Sequence, residues 1–176
     1  LWCFGQNNYG QMATGNTTDV KSPRQMMSDV KSYSNGYGNV FLITNDGKLY
    51  GTGLNSGDGA GKIGNNGTTN VTTFVNVYPD GYPDMEFKKV EVGYYITCAI
   101  NLDDDLYCWG GNTYGSLGIG NTNTPQKTPQ YVTSNVIKYG HGNYHSCIIK
   151  SDDTFWCWGG NSYGQVGNNS TTNVTS

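Results

Sequence analysis

Cys108-Trp-Gly-Gly-Asn-Thr-Tyr-Gly-Ser-Leu-Gly118 returns almost unchanged as Cys157-Trp-Gly-Gly-Asn-Ser-Tyr-Gly-Gln-Val-Gly167. A third copy, Cys3-Phe-Gly-Gln-Asn-Asn-Tyr-Gly-Gln-Met12, stands near the start of the chain. A degenerate copy, Tyr50-Gly-Thr-Gly-Leu-Asn-Ser-Gly57, lies between them. Residues ahead of the motif repeat as well: Ser34–Thr44, Val92–Asn101 and Tyr139–Lys150 can be laid over one another. Self-similarity of this kind marks an array of one supersecondary unit.

The glycines that close the motif, Gly5, Gly53, Gly110 and Gly159, are 48, 57 and 49 residues apart. That period fits four-stranded propeller blades and exceeds leucine-rich or ankyrin repeats. Within one unit, Phe87–Val92 and Ile96–Asn101 read as strands rich in β-branched and apolar residues. Asp103–Asp105 is the turn, Leu106–Trp109 a third strand and Gln130–Val132 a short fourth. In the degenerate unit the turn is Asn45-Asp46-Gly47, a strong hairpin signal. No segment has a sustained helical period. The expected fold is all-β: an array of four-stranded blades, about three and a half repeats, cut at both ends. The blade parts are 1–27, 28–78, 85–133 and 135–176, in one partial propeller domain over 1–176.

Glycine (26 of 176 residues) and tyrosine (14) are abundant, and only 13% of residues are charged, with a net charge of −3. A weakly acidic chain lacks the Lys and Arg that phosphate neutralisation needs, which argues against nucleic-acid binding. No apolar run is long enough for a membrane-spanning helix.

Cys98 and Cys108 flank the Asp103–Asp105 turn with ten-residue spacing, and Cys147 and Cys157 repeat it around Asp152 and Asp153. Opposed residues on antiparallel strands lie within disulfide reach, so each pair is expected to clip a hairpin, with buried free thiols as the alternative. A zinc knuckle fits neither this spacing nor the two histidines. Cys3 occupies the same motif slot, and its partner is expected ten residues upstream of it, outside the sequence. Sequons occur at Asn16, Asn66, Asn70, Asn168, Asn169 and Asn173, all in the connection after a third strand. Together with cross-strand cysteines they favour a glycosylated extracellular or cell-surface protein carrying N-linked glycans.

His145-Ser-Cys-Ile-Ile-Lys-Ser-Asp-Asp-Thr-Phe-Trp-Cys-Trp-Gly-Gly-Asn-Ser-Tyr-Gly-Gln-Val-Gly167 resembles the repeat of the regulator-of-chromosome-condensation family. The resemblance extends over essentially the whole chain and is closest to secreted, cysteine-bearing members. It implies a β-propeller, usually of seven blades. The unit Asn39–Val77 departs from the pattern: it has no cysteines, and Thr52-Gly53 replaces Trp-Gly. The insertion Ser56-Gly-Asp-Gly-Ala-Gly61 lengthens one loop. A closed ring needs about twice this length, so a longer polypeptide, or copies completing one another, is expected to cover the open sheet edges.

Apparent chemical motifs have structural readings. Gly59-Ala-Gly-Lys-Ile-Gly64 matches G-x-G-x-x-G but lacks the strand, helix and βαβ unit of a dinucleotide site. His145 stands where the preceding repeat has Ile96, a supporting position, and His141 has no nucleophile to serve. The aspartate runs read as turns before they read as calcium ligands. The sequence therefore points to a non-catalytic protein-binding scaffold with no cofactor or metal. It would be a segment or subunit of a glycosylated surface assembly or filament, whose partners are copies of itself or the rest of a longer chain. A soluble secreted binding or inhibitory propeller and a guanine-nucleotide exchange factor are the alternatives.

Overall fold

A computed structural model describes residues 1–57 and 60–176, so Gly59, the first glycine of the Gly59–Gly64 match, lies outside the described residues. The named elements are thirteen strands in four antiparallel sheets. The first sheet pairs β1 (Trp2–Gly5) with β2 (Val20–Gln25). The second is a meander of β3 (Val30–Gly36), β4 (Asn39–Thr44), β5 (Leu49–Gly53) and β6 (Val71–Asn76). The third repeats it with β7 (Phe87–Val92), β8 (Ile96–Asn101), β9 (Leu106–Gly110) and β10 (Gln126–Thr133). The fourth holds β11 (Val136–His141), β12 (His145–Lys150) and β13 (Phe155–Gly159). A single bridge from Gly159 to Val174 continues it where the other sheets have their outer strand.

The inner strands form because they are runs of apolar and β-branched residues buried on both faces. Asn39–Thr44 and Ile96–Asn101 are buried along their whole length. Tight turns join them. In the third and fourth sheets Asp104 and Asp153 take φ of 66° and 63°, a conformation that Asp tolerates better than most residues. The Asn101 side-chain oxygen accepts from the amides of Asp103 and Asp105, so the aspartate run is a turn held by its own strand.

The third sheet packs one face on the second sheet and the other on the fourth. Phe41, Ile43, Leu49 and Ile63 of the second sheet enclose Phe87, Val90 and Trp109 of the third. Ile96, Ile100, Leu106 and Leu117 of the third enclose Val136, Ile148 and Trp158 of the fourth. Burying such side chains contributes about 2 kcal/mol each, so the contacts between blades dominate the core.

The outer strands differ from the sequence expectation. Gln126–Thr133 begins four residues before the expected Gln130, and Val20–Gln25 likewise forms the outer strand of the first sheet. Both are polar edge strands with register shifts, so no apolar alternation marks them. Loops of the preceding blade reach outer segments of this kind: the Gly15 amide donates to the Thr72 carbonyl of β6, the Asn66 amide to Lys127 of β10 and the Gly120 amide to Thr175.

Candidate functional site

The loop that follows each third strand is built on one asparagine. Asn7, Asn55, Asn112 and Asn161 are all fully buried. The Asn112 Oδ1 accepts from the Leu117 amide at 3.1 Å and its Nδ2 donates to the Asn121 carbonyl at 2.9 Å. Asn161 repeats this with the Val166 amide and the carbonyls of Ser170 and Thr172. Asn55 does so with the Ile63 amide and Gly67, and Asn7 with the Met12 amide, Asn16 and Thr18. An amide carries donors and an acceptor on one planar group, so it closes a loop from within.

The clasped loop receives the next blade. The Trp109 indole N–H donates to the Lys62 carbonyl at 2.8 Å, and the Trp158 indole donates to Ser116 at 3.0 Å. Gly118 sits at φ +74°, and a Cβ there would lie 2.4 Å from the Trp158 ring, so the position admits only glycine. In the degenerate unit Thr52 takes the tryptophan's place and its hydroxyl bonds the Gly10 carbonyl, preserving the contact between blades. The same unit replaces the cysteine pair with Phe41 opposite Gly51, and the phenyl ring covers the glycine.

The turns between first and second strands join these loops in a tyrosine track. Ring contacts run from Tyr9 to Tyr37 (6.1 Å), Tyr94 (4.9 Å), Tyr95 (4.5 Å), Tyr144 (4.9 Å) and Tyr114 (4.9 Å). Tyr37 and Tyr94 are stacked, as are Tyr95 and Tyr144, whose hydroxyls are 3.1 Å apart. Tyr37, Tyr94, Tyr114 and Tyr144 are all exposed. A cavity of about 490 Å³ opens among Tyr95, Tyr114, Tyr144, Thr113, Thr124 and Pro125.

Beneath the track Lys62 is fully buried. Its ammonium donates to the carbonyls of Tyr37 (3.3 Å) and Tyr94 (3.0 Å), pinning together the turns of two consecutive blades. Burial lowers its pKa from 10.5 to about 8. The folded pKa lies below the unfolded one, so the buried charge weighs most heavily below pH 8 and is relieved as pH rises towards 10.5. Between about pH 7 and 9.5 this residue should add about 2 kcal/mol to the stability. Urea denaturation across that range, compared with Lys62→Met, measures it. Equal pH slopes in the two proteins would show that Lys62 keeps its ordinary pKa.

Cys98 is bonded to Cys108, and Cys147 to Cys157, each directly across the two inner strands of its sheet with Cα atoms 4.1 Å apart. Cys3 is a free, half-buried thiol whose pKa is raised by burial. Asn16, Asn66, Asn70, Asn168, Asn169 and Asn173 are all exposed, in the loops where the sequence places them. Several also serve those loops: Asn70 and Asn173 accept from the amides of Asn55 and Asn161. His145 packs against Gly142, and His141 lies against Gly93 and Tyr139. Among the described residues no cluster of His, Cys, Asp or Glu is arranged to hold a metal ion. The tyrosine track and the burial of Lys62 went unread in the sequence. Superposing the repeats would have aligned Tyr37 with Tyr94, and Tyr95 with Tyr144.

Known proteins share this architecture. The chain covers 99% of its length on yeast RCC1 (Prp20), seen bound to Kap60, with a TM-score of 0.80, 20% identity and 43% of that chain. It matches human WBSCR16 with a TM-score of 0.78, 18% identity and 46% of that chain. These likenesses show the β-propeller fold. In sequence it is 31% identical over 125 residues to the ultraviolet-B receptor UVR8 of Arabidopsis thaliana, covering 68% of this chain and 27% of the relative. It is also 31% identical over 126 residues to the secretion-regulating guanine nucleotide exchange factor of Mus musculus, covering 68% and 26%. The chain thus spans about a quarter of the length of these relatives. The regulator of chromosome condensation (RCC1) repeat matches at residues 1–42 and 103–149, and a second model of that repeat at 87–116 and 142–165. With the clasped loops, the sealing tryptophans and the four-stranded blades, these matches establish that the chain belongs to the regulator of chromosome condensation (RCC1) repeat family.

Proposed function

We propose that this chain is a non-catalytic, protein-binding propeller scaffold that acts outside the cell as a segment or subunit of a larger glycosylated assembly. The observation that carries the reading is a row of exposed tyrosines, Tyr37, Tyr94, Tyr114 and Tyr144, presented by the loops of consecutive blades that are packed tightly on one another.

Two cross-strand disulfides support an oxidising compartment. The six exposed sequon asparagines support N-glycans directed away from the blades. Intact mass should rise by about four hydrogens on reduction, one pair per disulfide.

Produced through a secretory pathway, the protein should carry N-glycans at the sequon asparagines, seen as a mass loss on enzymatic deglycosylation. A product with no glycan at any of the six would count against the extracellular reading. A second reading, guanine-nucleotide exchange, is favoured by the likeness to the murine exchange factor. Acceleration of nucleotide release from a small GTPase would support it.

A further inference from the structure

We propose that the tyrosine track, with the cavity between Tyr95, Tyr114 and Tyr144, is a docking groove for a proline-rich segment in the polyproline II conformation. The proposal deepens the reading of the propeller as a protein-binding scaffold by giving the chemistry of one partner.

Four observations converge on that ligand. The ring contacts form a series from Tyr9 through Tyr37, Tyr94, Tyr95 and Tyr144 to Tyr114, which crosses every blade and suits an elongated ligand better than a compact one. The cavity within it is about 490 Å³, inside the range of ligand sites. The described residues that line it present aromatic rings, hydroxyls and the Pro125 ring.

The fourth observation is the balance of donors and acceptors. Four backbone carbonyls of the track are already engaged. Tyr95 accepts from the Gly111 amide and Tyr144 from Gly160, while Tyr37 and Tyr94 accept from Lys62. The groove rim instead carries hydroxyls, including Thr113, Thr124 and Tyr114. The Thr124 oxygen accepts from the Asn112 amide, which leaves its hydrogen to donate. Hydroxyls able to donate, beside carbonyls already taken up, suit a peptide that has carbonyls and lacks N–H groups, and proline supplies that backbone. A polyproline II helix is pre-formed and loses little entropy on docking, and its rings pack on flat aromatic faces.

The test titrates fluorescein-labelled decaproline into the full chain and follows polarisation. A glycine-serine decapeptide and cellohexaose serve as competitors. Saturable binding of decaproline that neither competitor displaces is expected. Tyr114→Ala should weaken it about tenfold, the scale of an aromatic anchor. Tyr114→Phe, which keeps the ring and removes the hydroxyl, should weaken it about threefold. Unchanged melting of both variants identifies the loss as local. The proposal is overturned if decaproline does not saturate, if the glycine-serine peptide competes equally, if cellohexaose displaces it, or if neither substitution weakens binding. The glycan and reduction measurements read the extracellular scaffold separately, so failure here leaves that reading standing, and the reverse.

Discussion

Trp109→Ala should lower the unfolding free energy by about 4 kcal/mol, the range for removing a buried aromatic from a packed core. The indole is fully buried and packs edge-on against Phe41 at 6.1 Å. Its loss opens a cavity between the second and third sheets and removes the donor to the Lys62 carbonyl. Trp109→Phe should recover most of the packing but not the hydrogen bond, leaving a deficit of about 1 kcal/mol. Urea unfolding of the three proteins measures both quantities. A loss below about 1 kcal/mol for the alanine variant, far under the usual range, would mean that the blades do not depend on this contact.

Asn112→Ala is the second large effect, expected at about 3 kcal/mol although it removes only a small polar side chain. The buried Leu117 amide loses its acceptor and the Asn121 carbonyl its donor, and each stranded group costs about 1–3 kcal/mol. The loop that Asn112 closes carries Ser116, whose carbonyl receives Trp158 and the Ser146 hydroxyl. Hydrogen exchange should therefore accelerate at Leu117 and also in the β12–β13 hairpin of the next blade. Exchange confined to the loop would disprove that transmission. Asn112→Asp keeps the acceptor but turns a buried carboxylate towards the Asn121 carbonyl, and should cost at least as much as the alanine variant.

Much of this fold was legible because its determinants are local. Ile96–Asn101 announces itself by β-branched and apolar residues, and the cysteines by equal spacing around aspartate turns. The Gly-Gly-Asn step carried the clasp in plain view, since the asparagine closes a loop only a few residues away. What escaped reading depends on residues supplied by a neighbouring blade. Gln126–Thr133 is polar and starts early because the Asn66 amide of the preceding blade fixes Lys127. Lys62, in a Gly-Lys-Ile-Gly loop, looks like a surface residue, and Gln11, Ser116 and Gln165 hold its place in the other repeats. Only the convergence of two turns, at Tyr37 and Tyr94, buries it. The tyrosine track is likewise invisible along the chain, because its stacked pairs, Tyr37 with Tyr94 and Tyr95 with Tyr144, come from equivalent positions of consecutive repeats.

The covalent bonds at Cys98–Cys108 and Cys147–Cys157 have a mechanical corollary. Each joins strands inside a sheet, across a sequence separation of 10. Tension applied through the two ends of the polypeptide would bypass the enclosed hairpin, which cannot unravel. At roughly 3.5 Å per extended residue, each bond hides about 35 Å of contour length. The second sheet, with Phe41 over Gly51 in place of a bond, has no such lock. Under load it pays out its full length, which makes it a compliant link beside the locked third and fourth sheets.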